Sequence, residues 1–139
     1  MSEETRIAPN LLFSVLCDDI RREANGKFML IGLFEAIGSG KFPAFHSTLF
    51  IMNCWIGGMG HYKQKSRILD NDGKIIAEDK ETEFRLANLK SKHRVVARFS
   101  NLKFEKPAEY SVEVLLNGEL KIRYPLIVKK LPPKPSIKP

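Results

Sequence analysis

Apolar and polar residues alternate most clearly in residues 108–128, where two alternating runs flank the pair Asn117-Gly118. An Asn-Gly pair between such runs favours a type I′ turn, because both central residues must adopt positive φ. The pattern therefore predicts a β-hairpin with one buried face. Its predicted core residues are Tyr110, Val112, Val114, Leu116, Leu120, Ile122, Tyr124 and Leu126. The opposite row is predicted to face outward and to suit a partner surface: Ser111, Glu113, Leu115, Lys121 and Arg123.

The same kind of pattern recurs along the rest of the chain. Apolar or alternating runs before the hairpin predict further strands at 11–17, 28–34, 48–56, 62–69, 74–78, 82–86 and 93–100. Turn residues at Asn25-Gly26 and at 70–73 separate some of these runs. No run of ten or more residues keeps a helical period. The fold class predicted is an all-β, antiparallel β-sandwich of about eight or nine strands, with a barrel as the alternative.

Segments between the runs also carry predictions. Residues 35–46 are predicted as a loop because they contain glycines and Pro43, and residues 18–27 as a polar turn. Gly32, inside the second strand, indicates a bulge or a close approach of another stretch of backbone.

Length and composition indicate one domain, expected at residues 10–130 of 139. Residues 1–9 are predicted to be a flexible leader, and the Pro/Lys-rich residues 131–139 a flexible tail with polyproline character. No segment approaches the roughly 20 apolar residues of a membrane helix. Cys17 and Cys54 both lie within or at the end of apolar runs, as buried free thiols do. We therefore expect a cytoplasmic, reducing location and no contact with a membrane.

The net charge of +7 belongs to the second part of the chain. Residues 1–60 carry 5 Lys or Arg against 6 Asp or Glu, whereas residues 61–139 carry 18 against 10. If their strands are neighbours, one basic surface is predicted from Lys63, Lys65, Arg67, Lys92, Arg94 and Arg98. Binding of single-stranded nucleic acid would also need exposed aromatic residues for stacking. Tyr62 and Phe99 are the candidates, and Phe99 is predicted to point inward, so we favour a solvated basic face.

The local cluster of residues that most resembles a chemical site consists of Cys17, Asp18, Asp19 and Arg21. Two adjacent carboxylates could hold a metal or act in acid–base catalysis, and a cysteine nucleophile would need a nearby histidine. Successive strand residues point to opposite faces, however, and all three histidines lie far away in sequence. We interpret the cluster as a buried cysteine followed by turn-forming aspartates. The sequence predicts no catalytic residue, no cofactor and no metal.

Asn53, Gln64 and Trp55 could line a groove for a carbohydrate or another small ligand. A single tryptophan on an apolar strand is more often part of the core, so this alternative stays open.

Three segments of the first strands form a recognisable pattern: Leu16-Cys17-Asp18-Asp19-Ile20-Arg21, Asn25-Gly26-Lys27 and Leu30-Ile31-Gly32-Leu33-Phe34. This pattern resembles the opening of a family of small bacterial proteins of unknown function, and the likeness covers most of residues 11–128. The resemblance implies a β-sandwich but no activity, cofactor or site.

The leading functional hypothesis is therefore a non-enzymatic binding or assembly module that acts through protein–protein contacts. Exposed edge strands in such a sandwich also make a homodimer plausible. The alternatives are a weak electrostatic nucleic-acid binder and a metal-dependent or cysteine enzyme that uses the cluster at 17–19.

Overall fold

The computed structural model of the chain describes residues 7–133 and contains ten strands in two packed sheets. In chain order the strands are β1 (Asn10–Arg22), β2 (Phe28–Phe34), β3 (Ala36–Ser39), β4 (Ala44–Ile56), β5 (Gly60–Leu69), β6 (Ile75–Glu78), β7 (Thr82–Leu86), β8 (Lys92–Phe104), β9 (Ala108–Leu116) and β10 (Glu119–Lys130). Within this described part no helix is long and apolar enough to cross a membrane. The all-β sandwich predicted from the sequence is confirmed.

The two sheets differ in size. One has four strands in the order β2-β1-β4-β8, and the other has the order β3-β10-β9-β5-β6, with β7 also paired to β5. β6 and β7 contact β8 of the opposite sheet, which closes one side of the sandwich. On the other side β1 lies across from β10, and their side chains meet through a hydrogen bond between the Ser14 and Tyr124 hydroxyls.

One strand was missed in the sequence. Residues 35–46, predicted as a loop, contain β3 and the start of β4. β3 runs parallel to the end of β10, whereas the sequence predicted antiparallel pairing throughout. Its four residues are too short for a recognisable alternation, and the strand forms because a distant part of the chain supplies its hydrogen-bonding partner.

The first hairpin is longer than predicted. β1 continues through Arg22 and pairs with β2, so Asp18 and Asp19 lie within the strand and not in a turn. The turn itself is confined to residues 23–27, where the Gly26 amide donates to the Glu23 carbonyl and Gly26 has φ +88°. Polar side chains are tolerated in this part of β1 because the end of the hairpin is exposed to solvent.

The hairpin of β1 and β2 changes direction near Gly32. Phe34 packs against the core, whereas Leu30 lines a depression with Phe13 and Met52 on the outer face of the four-stranded sheet. The register with β1 stays regular through this stretch, so the side chains of β2 keep their alternation and the hairpin itself bends. Gly32, with φ +70° and the Asp18 side chain lying against it, lies at this bend. The atoms nearest to a Cβ at Gly32 belong to the Asp18 side chain, whereas the sequence predicted a bulge or a close approach of backbone.

The hairpin of β9 and β10 forms as predicted at its turn, where Asn117 and Gly118 both have positive φ. The predicted core row of β9 is buried: Tyr110, Val112, Val114 and Leu116. The corresponding row of β10 is only partly buried, because Leu120 is 49% and Ile122 39% exposed. A bulge shifts the register between these two residues, and the open side of the sandwich leaves this stretch uncovered.

The outward row of the same hairpin also differs from the prediction. Glu113 and Leu115 were expected to be exposed and available to a partner, but they are 1% and 6% exposed. β9 lies between β5 and β10, so long side chains from both neighbours cover its outer face. This row does not form an open partner surface.

Two of the predicted terminal segments lie mostly beyond the described residues. Ile7 exchanges two backbone hydrogen bonds of 3.1 Å with Met59, which positions the end of the predicted leader beside the turn between β4 and β5. The rest of the leader, residues 1–6, and the tail residues 134–139 lie outside the described part of the chain.

His93 gives a pH dependence that can be measured. Its ring stacks on Phe84 with 5.1 Å between centroids, and burial lowers the pKa of His93. A lowered pKa in the folded state favours the neutral ring, so its contribution to stability is complete above the unfolded pKa of about 6.5 and is lost as pH falls below it. Because the ring is only half-buried, the loss should stay below about 1 kcal/mol. Urea denaturation of wild type and His93→Phe at mildly alkaline and mildly acidic pH should show a weaker pH dependence in the variant.

Candidate functional site

The structure separates the members of the cysteine–aspartate cluster. Cys17 is fully buried, and burial raises the pKa of its thiol, with the Asp18 charge adding to the effect. A thiol with a raised pKa is protonated at neutral pH and is a poor nucleophile. Asp18 lies against Gly32, while Asp19 forms an exposed ion pair of 2.9 Å with Arg21. The hydrogen bond from Arg21 lowers the pKa of Asp19. The cluster thus contains a buried thiol and two carboxylates that are engaged separately.

Among residues 7–133 no three His, Cys, Asp or Glu side chains form a group that could hold a metal ion. Cys54, the second cysteine, is also a buried free thiol whose pKa is raised by burial.

The predicted basic surface is divided between the two outer faces of the sandwich. Lys63, Lys65 and Arg67 lie on β5 of the six-stranded sheet, where they alternate with buried residues. The other set, Lys92, Arg94 and Arg98, lies on β8 of the four-stranded sheet. The condition for a single basic surface, that these strands are neighbours, is not met, because β5 and β8 belong to different sheets.

Much of the β5 charge is also neutralised locally. Lys63 lies 3.9 Å from Glu83, Lys65 lies 3.5 Å from Glu78, and Arg67 donates to Glu113 at 2.7 Å. Phe99, the second aromatic candidate for base stacking, is 5% exposed and points inward as predicted. The structure therefore offers no continuous basic and aromatic surface from these residues.

The three residues considered for a small-ligand groove lie in the core. Asn53, Gln64 and Trp55 are each no more than 1% exposed. The Asn53 amide donates to Gln64 Oε1 at 2.9 Å and to Ser66 Oγ at 2.8 Å. Asn53, Gln64 and Ser66 form a buried polar layer between the two hydrophobic clusters of the core.

This polar layer is only partly satisfied. Asn53 Oδ1 and Gln64 Nε2 are buried and have no hydrogen-bond partner among the described residues. Exchanging the oxygen and nitrogen of the Gln64 amide would not help, because Oε1 already faces the donors of Asn53 and Trp55. The layer belongs to the interior of the fold, not to an accessible site.

A groove of about 640 Å³ lies on the open side of the sandwich. It is lined by Ser14, Val15, Leu16, Leu33, Phe34, Glu35, Tyr124, Pro125 and Ile127. Its walls are mainly apolar, and Glu35 is the one charged residue among these nine. At its base the Ser14 and Tyr124 hydroxyls are 2.8 Å apart, a hydrogen bond that joins the two sheets. Burial raises the pKa of Tyr124, while this bond acts in the opposite direction.

Two unpaired strand edges border the groove. β2 pairs with β1 from Leu16 to Arg22, so residues 10–15 of β1 have no described neighbour on that side. β3 pairs with β10 from Ile127 to Lys130, so residues 119–126 of β10 are likewise unpaired on their outer edge. Residue 35 joins the two sheets between β2 and β3 and limits the groove at one end.

Pro125 reduces the hydrogen-bonding capacity of the β10 edge. The Ile127 amide points toward β3, where it donates to the Glu35 carbonyl at 3.5 Å. Amides two residues apart on a strand point to the same side, so the nitrogen of Pro125 also faces this edge and offers no donor. The edge of β1 is therefore the better partner for an added strand.

Sequence reasoning did not find this groove. Ser14 and Tyr124 are 110 positions apart, and nothing local in either strand indicates that they meet. Pro125 carried the one usable signal, because proline inside a strand indicates a sheet edge.

Comparison with known proteins agrees with the resemblance noted in the sequence. Residues 12–129 match the model of a protein family that is described only as a family of unknown function. No curated protein matches the chain.

Proposed function

For a chain that belongs to this family of unknown function, DUF6941, we propose a role as a non-enzymatic protein-binding module. In this role the groove on the open side of the sandwich takes an extended segment of a partner protein. The observation that supports the proposal is the position of the groove between two unpaired strand edges.

The unpaired edges favour an extended occupant. Residues 10–15 of β1 carry backbone donors and acceptors that no described strand uses. A segment in β conformation satisfies such groups by adding one more strand to the sheet. A small molecule or a helix would leave most of these backbone groups to solvent.

The lining of the groove defines the side chains of the partner. Val15, Leu33 and Ile127 provide apolar walls, and the Ser14 and Tyr124 hydroxyls provide hydrogen-bonding groups at the base. Side chains of an added strand point alternately toward and away from the groove. The partner segment should therefore carry apolar residues at alternate positions and need no strong charge.

The two cysteines support a reducing, cytoplasmic location as part of this proposal. Cys17 and Cys54 are both free and buried, and neither is paired with another cysteine among the described residues. Free thiols are typical of proteins in reducing compartments.

The test is selection of random displayed peptides on the full chain, followed by fluorescence-polarisation titration of synthetic versions of the enriched peptides. We expect the enriched peptides to alternate apolar and polar residues. Their binding should shift the NMR signals of Ser14, of Leu16 and of the residues next to Pro125. A Val15→Glu variant should bind them at least tenfold more weakly, because a carboxylate would be buried against the peptide without a partner.

The matched control is Val96→Glu, since Val96 is also a partly exposed valine of the four-stranded sheet but lies on β8, away from the groove. Val96→Glu should bind the peptides like wild type. The proposal is wrong if no peptide is enriched, or if the two glutamate variants bind the enriched peptides equally well while both remain folded.

A further inference from the structure

Apart from the short unpaired edge of β1 beside the groove, β2 is the described edge that lacks protection. β8 is contacted by β6 and β7, β10 carries Pro125, and β3, β6 and β7 have only four or five residues each. β2 has seven residues, Phe28–Phe34, without a charge or a proline. Natural sheets usually protect such edges with charges, prolines or coverage, because an open edge pairs with other strands.

β2 also exposes a row of large apolar side chains. Met29 and Ile31 are each 40% exposed, and Leu33 is 63% exposed. These residues alternate along the strand, and a contiguous exposed apolar row of this kind marks an interaction surface more often than a solvent-facing one.

The sequence around β2 is complementary to itself. Read antiparallel about Ile31, residues 27–35 place Phe28 opposite Phe34 and Met29 opposite Leu33 of a second copy. The same register places Lys27 opposite Glu35 of the copy. Among the described residues neither Lys27 nor Glu35 makes an ion pair within its own chain.

We infer that β2 is a homodimerisation edge, where two copies of the chain pair antiparallel with Ile31 opposite Ile31 of the copy. Such pairing is isologous, since each contact occurs twice about the two-fold axis. It joins the two four-stranded sheets into one continuous sheet. It also places the two apolar rows side by side, where they contact each other, and each flanking charge opposite its counterpart.

Gly32 is compatible with this register. It falls opposite Leu30 of the copy, and a residue without a side chain lets the neighbouring strand and its leucine approach closely. The inference does not rest on the proposed function of the groove. Leu33, Phe34 and Glu35 belong to both surfaces, but Ile31 does not line the groove, so substitutions of Ile31 test the dimer separately.

The first test uses charge at the two-fold axis. Ile31→Glu and Ile31→Lys would each bring like charges together in the dimer, and each should raise the dissociation constant at least tenfold in sedimentation equilibrium. An equimolar mixture of the two variants should form a heterodimer, because the opposite charges then face each other. Leu89→Glu is the control: Leu89 is 51% exposed and lies away from β2.

The second test exchanges the flanking charges. Lys27→Glu or Glu35→Lys alone creates two repulsive pairs per dimer and should weaken dimerisation by roughly tenfold. The double variant restores both pairs in the opposite sense and should dimerise like wild type. Both substituted residues are exposed, so folding should be unaffected, which a thermal melt verifies.

Three results would overturn the inference. Wild-type chain that stays monomeric at high micromolar concentration excludes the dimer. A dimer that survives Ile31→Glu uses another surface. A mixture of Ile31→Glu and Ile31→Lys that stays monomeric, with both variants folded, excludes the register centred on Ile31.

Discussion

Replacing Glu113 with alanine should lower the free energy of unfolding by about 3 kcal/mol, the low end of the range for breaking a buried ion pair. Glu113 is only 1% exposed although it lies on the outer face of its sheet. Arg67 on β5 and Arg123 on β10 are its direct cross-strand neighbours, and their Nε atoms donate to the carboxylate at 2.7 Å each. Without the carboxylate the two guanidinium groups would lie beside each other with no acceptor between them.

The loss of stability in Glu113→Ala should stay at the low end of this range, because one of the two arginines can reach water. The Arg123 side chain is 58% exposed, whereas that of Arg67 is 25% exposed. The matched control is Glu83→Ala, which removes a carboxylate that is 80% exposed and 3.9 Å from Lys63. It should cost less than about 0.5 kcal/mol, since exposed pairs contribute little. Equal losses in the two variants, measured by urea denaturation, would contradict this account of Glu113.

The same carboxylate predicts an acid-dependent loss of stability. Burial alone would raise the pKa of Glu113, but the hydrogen bonds from Arg123 and Arg67 outweigh burial and lower it. Because the pKa is lowered in the folded state, the contribution of Glu113 to stability is complete at pH values above the unfolded pKa of about 4.3. This contribution is lost as pH falls through the folded pKa. The acid-induced decrease in stability should therefore be shallower in Glu113→Ala than in wild type.

Gly32→Ala should lower the free energy of unfolding by about 2–3 kcal/mol, more than the strain of a left-handed alanine alone, which is roughly 1–2 kcal/mol. A Cβ at this position would overlap the carboxylate of Asp18 and lie 3.0 Å from its Cγ. The position also has φ +70°.

Gly26→Ala separates the effect of backbone strain from the effect of the Asp18 contact. Gly26 has φ +88°, but a Cβ there would meet nothing within 4 Å, so this variant carries the backbone strain without the overlap. It should cost about 1 kcal/mol. Adding Asp18→Ala to Gly32→Ala should recover part of the stability that Gly32→Ala loses beyond the backbone strain. The effects of substitutions at two residues in contact are not additive. If Gly26→Ala and Gly32→Ala destabilise equally in thermal denaturation, the Asp18 contact is not the cause.

Local signals allowed much of the fold to be predicted from the sequence. The turn at Asn117-Gly118 and the buried row of β9 depend on residues that are adjacent or alternate in the chain, so their pattern is visible without a structure. β3 was missed because its pairing with β10 depends on residues about ninety positions away. The burial of Glu113 was missed for a similar reason, since arginines on two other strands cover it.

The groove and the division of the predicted basic surface also depend on strands that are far apart in the chain, so local sequence signals could not predict them. Lys63 and Arg94 are both basic and both on strands, but only the assignment of β5 and β8 to different sheets separates them. The groove exists because β2 and β3 each cover only part of their neighbours, and strand lengths of this kind are not encoded in any single motif. Burial of Cys17, in contrast, follows from its apolar run and was predicted.

The buried polar layer of Asn53, Gln64 and Ser66 has a consequence for how the two sheets find their relative position. Two purely apolar sheet faces can slide against each other with little change in contact energy, so they do not define a single alignment by themselves. Asn53 on β4 meets its partners on β5 only in one alignment, and any shift would leave further amide groups without hydrogen bonds. The layer thus favours one relative position of the two sheets, the one in which the Asn53 amide reaches both Gln64 and Ser66.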